Sequence, residues 1–120
     1  MYIKYSNNPN ICLNMETIVE CTINLADYQT KNVFTGRLKG EDVRVRSKVD
    51  ELEANSQLIT VIIPETIFSI NPSFLEELFK NVVKKLGRDK FLHKFNFISN
   101  GRYKIKMDIN EAIERILEDN

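Results

Sequence analysis

The stretch FSINPSFLEELFKNVVKKLG, residues 68–87, places a serine where a turn hands over to an amphipathic segment. Glu76 follows Ser73 at the S-x-x-E spacing of a capping box. In that motif the hydroxyl accepts from a backbone N–H and the carboxylate reaches back to the cap. A hydroxyl at a helix start can also accept a phosphoryl group: the dipole tolerates the phosphate, and a docking surface would gain nearly two negative charges. Ser73 therefore has two readings, helix cap and phosphoryl acceptor. A second cluster is TGRLKGEDVR, residues 35–44. Free N–H groups at a helix start can bind an anion, and the guanidinium of Arg37 or Arg44 would add a fork of donors. Gly36 and Gly40 are equally explained as residues that permit a bend, so this anion site also has two readings.

Other chemistry is poorly represented. The chain has no phosphate-cradling GxxxxGK[ST], no GxGxxG and no GxSxG elbow. One histidine, His93, and two cysteines, Cys12 and Cys21, do not make a tetrahedral metal set. Cysteine–histidine catalysis would need a meeting in space that no motif supports. Disulfides are rare in the cytosol, and the two cysteines read as reduced thiols of a cytoplasmic protein. The pairs Glu16/Glu20 and Glu76/Glu77 read as structural. No catalytic residue, metal or cofactor is expected, and the chain does not read as an enzyme.

A chain of 120 residues suits one domain with a real core. Lys+Arg and Asp+Glu are both 17, giving a formal net charge of zero. That balance argues against a general nucleic-acid binder. The opening MYIKYSNNPNICLNMETIVE lacks a basic segment followed by an apolar one, so no signal peptide is read. No apolar run is long enough to span a membrane.

MYIKY reads as a short strand, with turn chemistry over Ser6–Asn10 and a strand over 16–26 as the second arm of a hairpin. Residues 30–38 form a loop or short strand. GEDVRVRSKVDELEAN, from Gly40, is predicted to be a helix with Val45, Val49 and Leu52 buried and Asn55 as its stop. LITVII, 58–63, suits a central strand buried on both faces, ended by Pro64. A helix from Ser73 to Gly87 buries Leu75, Leu78, Phe79, Val82 and Leu86. After a loop at Arg88–Asp89, residues 94–99 form a strand with Phe95 and Phe97 on one face. Asn100-Gly101 is a turn. Asp108 and Glu111 make a second capping box for a last helix, striped by Ile109, Ala112, Ile113, Ile116 and Leu117. Alternating strands and helices imply α/β architecture with a mixed, mostly parallel sheet of four to five strands and three helices.

The upstream GR-x-x-GEDVR, the apolar strand, the turn and PSFLEELFKNVVKKLG resemble the STAS-like domain family of unassigned function found in bacteria and phages. The resemblance covers roughly residues 33–118, leaving 1–30 as an N-terminal strand or hairpin extension. It implies kinship with the domain of sulfate transporters and anti-sigma-factor antagonists, in which a serine between strand and helix is phosphorylated by a partner kinase. Ser73 then falls near the switch position, and Asn71, Phe74, Glu77 and Lys80 near a docking face. Where the antagonists carry an Asp-Ser-Ser-Gly-like turn, this chain has Asn71-Pro72-Ser73-Phe74.

The expected function is a non-enzymatic regulatory module. It would bind a protein partner of the ATPase or kinase kind through the 65–73 loop and the start of the 73–86 helix. The alternative is a small-ligand or nucleotide sensor using Gly36, Arg37, Gly40 and Arg44. A homodimer through edge-to-edge pairing of the N-terminal hairpin is the third arrangement.

Overall fold

The computed structural model describes residues 2–4, 10–15 and 18–118, with side chains for 10–14 and 18–118. The expected turn at 6–9 and Glu16 lie outside the described residues. The chain is α/β. Its strands are β1 (Tyr2–Lys4), β2 (Ile11–Met15), β3 (Ile18–Asn24), β4 (Val33–Phe34), β5 (Leu58–Ile63), β6 (Ser69–Ile70) and β7 (Phe95–Ser99). Its helices are α1 (Arg37–Ser47), α2 (Val49–Asn55), α3 (Pro72–Lys94) and α4 (Lys106–Glu118), and a 3-10 turn covers Leu25–Tyr28.

The main sheet has the order β1-β2-β3-β5-β7, antiparallel from β1 to β3 and parallel from β3 through β5 to β7. The N-terminal extension is thus a three-stranded meander rather than a hairpin: β2, in the stretch with the weakest alternation, lies between the two strands read from sequence. The parallel part steps across the sheet in one direction. Right-handed crossovers then put every connecting helix on the same face. Burial follows from this. Cys21, Ile23, Ile59, Val61, Ile63 and Phe95 are buried, whereas Thr22, Thr60 and Ile62, on the other face, are only half-buried. The strand 58–63 is therefore central but fully buried on one face, not both.

Helix α3 is the keystone, packed by α1 on one side and α4 on the other. Leu75, Leu78, Phe79, Val82 and Val83 are buried, with Leu86 partly so. Gly87 does adopt the positive φ of a helix stop (78°), but the chain kinks and resumes as helix to Lys94 instead of entering a loop. The kink turns Phe91 inward, where it stacks on Phe95 at 4.6 Å and meets Phe79 edge-on at 5.3 Å. Glu53 of α2 holds both arms of the kink. It is buried and accepts from Lys85 Nζ at 2.8 Å and Lys94 Nζ at 2.7 Å.

The helix expected from Gly40 starts earlier, at Arg37, and breaks at Lys48, which is left-handed (φ 55°). The break changes the phase of the stripe: Val43, Val49 and Leu52 are buried and Val45 is exposed. Gly40 is no bend. It lies inside α1 where α1 crosses α3, and a Cβ there would stand 2.5 Å from Phe74 O and 2.7 Å from Glu77 Cβ.

Cys12 and Cys21 are direct cross-strand partners on β2 and β3 and form a disulfide. This overturns the expectation of two reduced thiols. Neither cysteine is informative alone; the antiparallel register, invisible in the composition, brings them face to face.

Candidate functional site

The two-stranded sheet β4–β6 lies at the carboxyl ends of the parallel strands, pairing Val33 with Ser69 and Phe34 with Ile70. It delivers the chain into α1 and α3, which begin within three residues of its strands. Asn71, not Ser73, caps α3. Its side-chain oxygen accepts from the Ser73 N–H at 2.9 Å, with Pro72 preorganising the first turn. The Ser73 hydroxyl also donates to Asn71 Oδ1 at 2.9 Å. Asn, like Ser, is a strong cap, and Pro72 shifts the helix start by two residues. The second expected box dissolves in the same way. Helix α4 begins at Lys106, Asp108 accepts from Tyr103 and Glu111 pairs with Arg115.

Glu76 does not reach back to the cap. It accepts from Arg37 at 3.3 Å and from Arg115 at 3.1 Å, tying α1 and α4 to α3. Glu77 accepts from Arg44 at 3.1 Å and Lys80 at 2.9 Å, and Arg44 also donates to its backbone carbonyl. Burial pushes the Glu77 carboxyl up, but the hydrogen bonds and charges of Lys80 and Arg44 outweigh it and hold the group below its ordinary value. The proposed anion cluster is thus assembled around two carboxylates of the chain itself. Gly36 supplies the bend before α1, Gly40 the helix contact, and Arg37 and Arg44 are engaged. The space that Arg37 shares with Glu76, Glu77, Lys80 and Lys84 is only about 40 Å³.

Of the residues placed on the docking face, Asn71 and Lys80 hold the helix and its ion pairs. Phe74 is fully buried against Phe34, with ring centres 4.8 Å apart. Glu77 is buried in its network. Phe74 and Glu77 build the junction from below, whereas Asn71 is exposed and Ser73 and Lys80 are half-buried; the large apolar part of its surface is made by others. Leu38 is 86% exposed, Phe68 71% and Met107 84%.

Each stands on a segment that the chain or a hydrogen bond ties to the β4–β6 sheet. Phe68 precedes Ile70 by two residues, and its N–H donates to Asn32 O at 2.8 Å. Leu38 is the second residue of α1, which follows Phe34, the register partner of Ile70. Met107 adjoins Asp108, whose carboxylate lies 2.7 Å from the Tyr103 hydroxyl, itself 3.3 Å from Ile70 O. Beside them, the loops after β5 and β7 enclose a cavity of about 460 Å³ lined by Glu65, Ile67, Phe68, Gly101, Arg102 and Tyr103. Gly101 lets the loops touch: a Cβ there would meet Glu65 Cα at 2.8 Å. Burial and the Asp108 carboxylate raise the Tyr103 phenol far above its ordinary value, so it remains a proton donor.

A larger cleft, about 780 Å³, lies at the amino end of β5 between Ala54–Gln57 and Asp89–Lys94. Of its basic groups, Lys94 binds Glu53 and His93 Nδ1 contacts Asp89 O at 2.7 Å, while Lys90 is exposed. In open α/β sheets ligands bind outside the carboxyl ends of the strands, and that is the end occupied by Phe68 and Tyr103. Among the described residues no cluster of His, Cys, Asp and Glu could hold a metal, and no helix is long and apolar enough to cross a membrane.

Comparison with protein-family models, with curated proteins and with solved structures finds no match. The exposed trio left a faint trace in the sequence: Leu38 and Met107 fall off the apolar stripes of their helices, and Phe68 stands among turn residues.

Proposed function

We propose that the chain is a non-enzymatic interaction module that docks a protein partner at the carboxyl end of its parallel sheet. The observation that carries this reading is the placement of Leu38, Phe68 and Met107. Three large apolar side chains are exposed at the starts of α1 and α4 and on the loop into β6, the end of the fold where the parallel strands finish. Single exposed apolar residues are ordinary; a group rimmed by polar side chains is the mark of an interaction site. The 65–73 loop takes part through Phe68, and the start of α3 supports it from beneath through Asn71 and Phe74. The resemblance to STAS-like domains points the same way and supplies an ATPase or kinase as the class of partner.

The test is affinity capture from cells of the source organism, comparing the wild-type chain with a Leu38→Ser/Phe68→Ser/Met107→Ser variant. A second variant, Ile11→Ser/Ile98→Ser, alters apolar residues of the helix-free sheet face. All five positions are exposed, so both variants fold. The reading requires a stoichiometric partner that the first variant loses and the second retains. Equal retention by both, or loss only with the second, overturns it.

A further inference from the structure

Resting on that docking reading, we infer that the occupant of the site is an acidic peptide segment of the partner, anchored by one bulky apolar side chain. The anchor would enter the cavity between the 65–68 and 101–103 loops, beside Phe68, while its carboxylates meet a ridge of cations. The ridge is RYKIK, residues 102–106, which leads into α4. Its residues alternate: Arg102, Lys104 and Lys106 are exposed, while Tyr103 is buried and Ile105 half-buried. Among the described residues, none of the three has a carboxylate within 4.0 Å, unlike Arg37, Arg44, Lys80 and Arg115.

The placement of this ridge runs against local stability. The amino end of a helix carries positive partial charge and favours acidic side chains; Asp108 meets that rule in the first turn of α4, yet Lys106 opens the helix and two further cations precede it. Among the described residues these charges have no ion-pair partner, in a chain whose net charge is zero. Positions that break a local rule without internal compensation are those expected at functional sites. Arg102 lines the cavity itself, together with Ile67, Phe68 and one carboxylate, Glu65, so the cation ridge is contiguous with the recess. Complementarity then sets the chemistry of the occupant: negative flanks and an apolar centre. Of the exposed trio only Phe68 offers a face for base stacking, and the half-open cavity is a recess rather than the flat face a bilayer would meet. A peptide is therefore favoured over nucleic acid or membrane.

The experiment selects binders from a displayed library of random 12-residue peptides on the full chain. Affinities of the enriched peptides are then measured by fluorescence anisotropy. The expected result is enrichment of Asp and Glu around a Leu, Phe, Met or Trp. Affinity should fall at least 10-fold in Arg102→Glu/Lys104→Glu/Lys106→Glu, at least 10-fold in Phe68→Ser, and markedly between 0.05 and 0.5 M salt; these thresholds, set at roughly one decade, are the size a lost close charge pair or anchor produces. Enriched peptides without acidic bias that still depend on Phe68 overturn the acidic occupant and leave partner docking standing. No enriched peptide, together with binding to phosphatidylserine vesicles or a single-stranded oligonucleotide that the charge reversal abolishes, overturns the inference in favour of those ligands. No binding by any probe overturns it outright. The salt series on the wild-type chain decides the matter even where a variant fails to fold.

Discussion

Replacing Gly40 by alanine sets two well-characterised effects against each other. Alanine is favoured over glycine inside a helix by about 1 kcal/mol, so a free α1 would be stabilised. In this fold the new Cβ would stand 2.5 Å from Phe74 O and 2.7 Å from Glu77 Cβ. Both neighbours belong to the buried start of α3 and neither is the free end of a flexible side chain. Helix α1 must therefore move out, and overpacking of this kind costs about 1–3 kcal/mol. The movement also lengthens the Arg44–Glu77 pair, now 3.1 Å with both side chains largely buried. Breaking a buried pair costs roughly 3 kcal/mol or more, and a partial loss is enough to outweigh the propensity gain. The expected net destabilisation is about 2 kcal/mol, read as a fall of about 1 M in the urea midpoint for a slope near 2 kcal/mol/M. Val45→Ala, on the exposed side of the same helix, is the control and should stay within about 0.5 kcal/mol. A Gly40→Ala chain as stable as wild type, or more stable, would refute the close crossing of α1 and α3.

Three further outcomes follow from the same geometry. Asn71→Ala should cost about 1 kcal/mol in urea unfolding, as loss of a helix cap does, and Ser73→Ala clearly less; the reverse order would restore Ser73 as the cap. Reducing the Cys12–Cys21 bond, which closes a loop with a sequence separation of 9, should lower stability by about 2.7 kcal/mol on the chain-entropy estimate. Two titratable thiols in the unfolded, unreduced protein would contradict the bond. Glu53 is raised by burial but held below its ordinary value by Lys85 and Lys94. Its folded pKa is thus depressed, so its contribution is complete above the unfolded value near 4.5 and is lost as pH falls through the lower folded value. Glu53→Ala should cost about 3 kcal/mol at pH 7 and flatten the acid side of the stability profile, measured by urea midpoints from pH 7 to 3; an unchanged profile sinks the assignment.

Much of the architecture was legible because it rests on periodicity. The apolar run 58–63 announces a strand, though not that only one of its faces is fully buried, and the α3 stripe from Leu75 to Leu86 and the α4 stripe from Ile109 to Ile116 each announce a helix and its buried face. What failed depended on partners distant in sequence. The break at Lys48 has no composition signal, and it moved Val45 from core to solvent. Gly40 looked like a bend because a lone glycine carries no record of the helix that will press on it. Gly87 did signal its positive φ, but the resumption of helix is set by Phe91 packing among Phe79, Phe95 and Phe97.

The candidate site was harder still to read. Its neighbourhood, the 65–73 loop before α3, stands out as a handover from strand to helix. Which side chains face water depends on the β4–β6 pairing and on the loop that carries Tyr103. Arg37 and Arg44 suggested an external anion because Glu76 and Glu77, 39 and 33 residues away, give no local sign of being their partners. Ser73 drew attention through a motif that Asn71 and Pro72 satisfy one turn element earlier.

The central claim, that the carboxyl end of the sheet is where a partner docks, is tested most directly by site-specific photo-crosslinking in cells of the source organism. A benzophenone amino acid is placed at Phe68, at Ile98 on the helix-free sheet face, and at His93 beside the amino-end cleft. The account predicts one discrete crosslinked protein from position 68 and none from 98 or 93. Crosslinks that arise only from 98 or 93, or none from any of the three, would contradict it.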